Sequence, residues 1–173
     1  NHDLHLIAIY LDQKKHQKTD TLKKLLNSKQ LDHFIEWLIK KPLAILRGDY
    51  LVVHAGIHPN WSINKSIKLA NKVHLTLNKD PANFLSKMYG NQPGYWSDGL
   101  KKSLRRRMTI NIMTRMRALN LDLSLNYDFK GKIPKKIDSE PYRPWFDFER
   151  IDNSKYIITG HWSALGVHKH NHG

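Results

Sequence analysis

The sequence predicts a single α/β or α+β domain. Short apolar runs of strand length alternate with longer stretches of helical periodicity. No repeat or linker divides the 173 residues, and 40% of them are hydrophobic, enough for a real core.

Leu4 to Leu11 is mostly apolar and reads as a helix leaving an Asn1-His2-Asp3 turn. Asp12 to Thr21 is polar and Lys-rich, an exposed loop. Leu31 to Ile39 carries apolar residues at 31, 34, 35, 38 and 39, which is helical spacing, and Pro42 ends it. Leu43 to Leu46 and Tyr50 to Val53 flank Arg47-Gly48-Asp49, a hairpin with a Gly-containing turn. Ser62 is placed to cap a helix through about Leu77, and Pro81 begins another that reaches Met88. Tyr89 to Gly99 is a Gly- and Pro-rich loop holding Trp96-Ser97-Asp98. Leu104 to Leu119 is expected as a basic amphipathic helix, Leu121 to Phe129 as a strand, and Gly131 to Pro144 as an irregular loop. Tyr156 to Thr159 is a short strand that delivers Gly160-His161.

The formal charge is +14, from 29 Lys and Arg against 15 Asp and Glu. That balance favours anionic partners such as nucleotides, polyphosphates or nucleic acid, and a solvated Lys-rich surface accounts for it equally well. There are no cysteines, which excludes disulfides, thiolate zinc sites and a Cys nucleophile and fits a reducing cytoplasm. No apolar run approaches a membrane span, so no membrane association is expected; the oligomeric state is left open.

Three places put a metal-type ligand just beside an apolar run: Asn1-His2-Asp3, His54 after Tyr50 to Val53, and His161 after Tyr156 to Thr159. A strand end fixes the backbone while the following loop leaves the side chain open to substrate. Gly56 and Gly160 lie close to the two His and would let the chain turn tightly and a ligand approach. A lone His at a strand end is usually a hydrogen-bonded structural residue; three such places in one chain point to a site.

The order Asn1-His2-Asp3, His54-Ala55-Gly56, Trp96-Ser97-Asp98, Gly160-His161 resembles the calcineurin-like metallophosphoesterases. More narrowly, the chain resembles the symmetrical bis(5′-nucleosyl)-tetraphosphatases, through Asn1-His2-Asp3-Leu4-His5-Leu6, His54-Ala55-Gly56-Ile57 with Pro59 and Trp61, Met88-Tyr89-Gly90, Thr114-Arg115-Met116-Arg117, Pro144-Trp145-Phe146 and Gly160-His161-Trp162. The resemblance implies a β-sandwich flanked by helices, and hydrolysis of diadenosine tetraphosphate to two ADP by a binuclear metal centre of Mn, Co, Fe or Zn. It implies Asn1, His54 and His161 as ligands of one metal. His2 would touch phosphate or protonate the leaving oxygen, and Asp3 would hold the His2 ring. Arg115 and Arg117 would contact substrate phosphate. Tyr89, Trp145 and Trp162 are open to adenine stacking, with core packing favoured for each.

The chain departs from that pattern in lacking the Gly-Asp-x-His and Gly-Asp-x-x-x-Arg-Gly motifs that carry the other metal and the bridging carboxylate; Gly48-Asp49 is followed by Tyr50-Leu51 and is no substitute. Residue 1 is Asn rather than Met, so residues 1–173 are expected to be a partial metallophosphoesterase domain, short of its first strands and of its C-terminal end. Three neutral ligands without a carboxylate should bind a divalent ion poorly. The polypeptide alone is therefore expected to be inactive and prone to aggregate. Other readings are a phosphoprotein phosphatase or a capped-RNA hydrolase of the same superfamily, a basic nucleic-acid-binding module built on the Arg105 to Arg117 helix, and an inactive fragment.

Overall fold

A computed structural model describes residues 1–17, 20–134 and 136–169; parts of the expected 12–21 loop, the 131–144 loop and the chain's His-rich end lie outside them. Six helices and six strands are described in the order α1 (His2–Tyr10), α2 (Lys23–Leu26), α3 (Leu31–Ile39), β1 (Ala44–Arg47), β2 (Tyr50–Val53), α4 (Ile63–Lys79), α5 (Pro81–Ser86), α6 (Lys102–Arg115), β3 (Ala118–Asn120), β4 (Leu125–Asn126), β5 (Tyr142–Pro144) and β6 (Tyr156–Ile158). The mixed α/β class holds. The strands form two three-stranded sheets, ordered β1-β2-β6 and β4-β3-β5.

In the first sheet β1 and β2 form the expected antiparallel hairpin, turned at Gly48 with φ +53, a conformation glycine adopts without steric cost. β6 then adds parallel to β2, pairing Tyr50 with Tyr156, Leu51 with Ile157 and Val52 with Ile158. The period-2 alternation sends Leu51, Val53 and Ile157 into the core, while Tyr50, Val52, Tyr156 and Ile158 stay exposed on the other face.

The helices follow local sequence signals. Ser62 Oγ accepts from the Lys65 N–H at 3.1 Å and starts α4, and Asp80 Oδ1 does the same for Asn83 ahead of Pro81. α6 differs from expectation. Met108 to Thr114 are all buried, so its second half is not amphipathic; it runs through the middle of the molecule, and the basic residues gather at its start. It also stops at Arg115, because Met116 turns extended (φ −63, ψ 132) to enter β3. The expected strand over 121–129 shrinks to Leu125–Asn126. Asp122 Oδ1 accepts from the Ser124 N–H at 2.9 Å and Leu123 takes φ 66, which makes a tight turn between β3 and β4.

Two apolar clusters result. One holds both sheets, with Leu51, Trp61, Ile112, Met113, Leu119 and Trp145 at its centre. The other is helical and joins α1, α3, α4 and α5 through Ile7, Ile35, Val73 and Leu85. α4 and α6 contribute to both, Leu69 and Ile112 to the first, Val73 and Ile110 to the second. No helix among the described residues is long and apolar enough to cross a membrane.

Candidate functional site

The junction of the two clusters gathers the candidate ligands. β2 and β6 are parallel, so their C-terminal ends open at one edge, and the residues just past them become neighbours although 107 positions apart. The backbone locks this proximity: the Gly160 and His161 N–H groups both donate to the His54 carbonyl, at 3.0 and 2.8 Å. His54 Nε2 lies 3.1 Å from His161 Nδ1 and 3.1 Å from Asn1 Oδ1. Asn1 sits in the N-cap position of α1, yet its side chain makes no capping bond and is turned to His54 instead. A favoured capping residue has given up its local role for a distant contact, which is common where function overrides local preference.

The electrostatics suit a cation. His54 Nε2 carries either one proton or one lone pair, so it cannot pair fully with both the amide oxygen of Asn1 and the ring nitrogen of His161. Burial lowers the His54 pKa. Burial, then the charges of Arg117 and His54, push His161 down to about 4, against a smaller opposing pull from the Arg115 carbonyl. Both rings are thus neutral near pH 7, the form that binds metal. Donors about 2.1 Å from one ion and at roughly right angles lie about 3 Å apart, so the observed separations are ligand-like. Two imidazoles and an amide oxygen fit a borderline divalent ion. Among the described residues, no group of three His, Asp or Glu is placed to hold an ion.

His2 and Asp3 occupy the first turn of α1, both exposed, and both line a cleft of about 670 Å³ with Asn1, His54, Arg117 and His161. The Asp3–His2 pairing is not among the hydrogen bonds of the described residues, and consecutive positions on a helix do not face each other. A second cleft of about 380 Å³ lies on the other side of Asn1, His2 and Thr114 and carries Arg115. The two arginines therefore serve different clefts. Arg115, the last residue of α6, donates to Asn111 Oδ1 at 3.0 Å and Asn91 Oδ1 at 3.2 Å and stacks over Tyr127 at 4.9 Å. Arg117 lies beyond the helix; burial, then the Arg115 charge, lowers its pKa. Among the described residues neither is paired with a carboxylate.

Other sequence candidates take structural roles. Trp96 packs edge-on against buried Trp61 at 4.7 Å, and Asp98 pairs with Lys65 at 2.8 Å. Trp145 is core, and Trp162 donates to the Gly131 carbonyl at 2.5 Å. Gly56 answers a different need from the one its position suggested. A Cβ there would lie 2.8 Å from Trp145 Cε2, so the glycine admits an indole and not a ligand; Gly160 faces open space. Sequence reasoning gave His5 no role, yet it joins Tyr89 at the second cleft.

No family model matches the chain. Individual relatives do. A protein of Neisseria meningitidis serogroup A named "Bis(5′-nucleosyl)-tetraphosphatase, symmetrical" is 39% identical over 170 residues, 96% of this chain and 60% of its own length. Proteins of the same name from Chromobacterium violaceum and Nitrosomonas europaea are each 38% identical, over 97% of this chain and 61% and 63% of theirs. The chain spans about 60% of the length of the curated relatives it matches, and over that span its sequence is similar to the proteins named symmetrical bis(5′-nucleosyl)-tetraphosphatase.

Proposed function

We propose that this chain carries one metal half-site and the phosphate-binding arginines of a hydrolase that cleaves P1,P4-bis(5′-adenosyl) tetraphosphate with water to two ADP. The observation that carries the reading is the convergence of Asn1, His54 and His161 at the larger cleft with Arg117, next to a smaller cleft that shares Asn1 and holds Arg115, each arginine free of carboxylate partners among the described residues. The relatives' name supplies the substrate class.

In this reading Arg117 and Arg115 bind phosphate oxygens on either side of the scissile position, each by a charge-assisted fork. His2, shared by both clefts, touches the phosphate there or protonates the leaving oxygen, while Asp3 in the same helical turn supplies negative charge at the larger cleft. Asn1, His54 and His161 hold one of two divalent ions (Mn, Co, Fe or Zn). Bound metal would neutralise phosphate charge and lower the pKa of the attacking water. Nucleic-acid binding along α6 has less support, because Arg105 donates to the Asp98 and Leu100 carbonyls and Arg107 to those of Lys87 and Gln92.

The donor set carries no carboxylate, so the test reads binding before turnover. Calorimetric titration of the chain with the dinucleotide in Mn²⁺ should show saturable binding that Arg115→Met and Arg117→Met each weaken about tenfold or more. Equal binding by both variants, or preference for a phosphopeptide or capped RNA, overturns the reading. Any hydrolysis should yield ADP alone; AMP with ATP would contradict symmetrical cleavage.

A further inference from the structure

The smaller cleft has an apolar floor, Leu4, Met88 and Ile110, and a polar rim that includes Asn91, Asn111 and Arg115. Its volume of about 380 Å³ is within the range of small-ligand pockets. One wall is Tyr89, and this ring is fixed from two directions. Its hydroxyl lies 2.7 Å from His5 Nδ1, with the two rings edge to face at 6.1 Å. Lys14 Nζ stands 5.0 Å from the ring centroid, a cation–π contact. Behind His5, Asp20 Oδ1 faces Nε2 at 3.5 Å, while its Oδ2 accepts the Gln17 N–H at 2.7 Å.

This chain decides where the hydrogens are. In the neutral ring, a carboxylate beside Nε2 calls for the proton on that nitrogen, which leaves Nδ1 as an acceptor. The Tyr89 hydroxyl must then donate to Nδ1, and its oxygen lone pairs are left for a third partner. Burial, then the charge of Asp20, pushes the Tyr89 pKa up to about 12, so the hydroxyl keeps its proton. A core tyrosine needs none of this: one backbone carbonyl would satisfy it. Here a loop carboxylate, a helix imidazole and a phenol align on a cleft that adjoins His2.

We infer that Asp20 and His5 are positioning residues that present the Tyr89 oxygen as an acceptor to a hydrogen-bond donor on a nucleoside seated in the smaller cleft, which makes Tyr89 a specificity-determining residue. The inference rests on the nucleotide reading above and assigns one half of the ligand to a place. The donor is a ribose hydroxyl or a purine amine; both offer the same chemistry to an acceptor oxygen.

The test is calorimetric titration with ADP, 2′-deoxy-ADP and IDP in Mn²⁺, with melting curves for every variant. The unsubstituted chain should bind ADP about three- to tenfold more tightly than whichever analogue lacks the donor. 2′-Deoxy-ADP is the weaker if the hydroxyl donates, IDP if the amine does. In Tyr89→Phe that preference should collapse towards unity, an effect that a merely structural tyrosine would not produce. Asp20→Asn keeps an amide oxygen for Gln17 and lies on the surface loop, so it serves if Tyr89→Phe melts early; it should narrow the preference in the same direction. Equal binding of all three nucleotides, or a preference unchanged in both variants, overturns the inference while the nucleotide reading stands. Failure of ADP to bind at all removes both.

Discussion

Gly56→Ala should destabilise the chain although the backbone at Gly56 is not in a left-handed conformation. A Cβ built there meets Trp145 Cε2 at 2.8 Å, Trp145 Cδ2 at 3.0 Å and Met116 Cε at 3.0 Å. Carbon atoms prefer about 3.5–4.0 Å, so something must move by roughly 0.5–1 Å. Met116 Cε ends a flexible side chain and can swing away. Trp145 cannot: it is 2% exposed and packed edge-on against Phe146 at 5.6 Å. Overpacking of this kind costs about 1–3 kcal/mol, and the smaller unfolded-state entropy of alanine returns about 0.4–1 kcal/mol. The net loss is about 1–2 kcal/mol, which for a chain of this size lowers Tm by about 2–8 °C. Thermal unfolding followed by circular dichroism measures it. The partner is checked by a double-mutant cycle with Trp145→Phe, which makes room: in that background Gly56→Ala should cost less than about 0.5 kcal/mol. A Gly56→Ala chain as stable as the parent, or one with the same loss in both backgrounds, would refute the steric account.

His58 gives a pH-dependence. It is 2% exposed, its Nδ1 accepts the Asn60 N–H at 3.2 Å, and its Nε2 donates to the Leu123 carbonyl at 3.3 Å, so the neutral ring is satisfied and a second proton has no place. Burial brings its pKa from 6.5 to about 4. The native state thus binds this proton less readily than the unfolded chain: the contribution is full above pH 6.5 and lost as pH falls towards 4, a drop of about 3 kcal/mol. Urea unfolding between pH 7.5 and 4.5 should follow that slope, and His58→Asn should flatten it. Ser62→Ala removes the cap of α4 and should cost about 1 kcal/mol in the same assay; no loss would mean that water replaces the bond to Lys65. Mn²⁺ should raise the Tm of the unsubstituted chain by mass action and leave that of His161→Ala unmoved; equal shifts would place the ion elsewhere.

The sequence was most legible where a local rule decides. Helical spacing at residues 31–39, the Gly48 turn and the Ser62 cap each act within a few residues, and α3, the first hairpin and the start of α4 appear where those signals put them. Three metal-type ligands at strand and helix ends were legible as types. Their meeting was not, because it depends on β6 adding parallel to β2 across about a hundred residues. The end of α6 was misplaced for a related reason: Met116 has good helix propensity, and only the pull of β3 takes it extended. That shift sends Arg117 to the larger cleft. Leu123 with positive φ hid the β3–β4 turn, since a branched apolar residue there reads as strand. Gly56 was singled out for the wrong reason, because the indole it admits lies 89 positions away.

The two bonds from the Gly160 and His161 N–H groups to one carbonyl have a mechanical consequence. They make His54 and His161 parts of one rigid plate, the sheet, whereas Asn1 rides on α1, which is anchored in the helical cluster. A ligand gripping all three would act as a clasp between two bodies. Its arrival should be felt far from the ring nitrogens, as slower amide exchange along α1 with little change in β2 and β6.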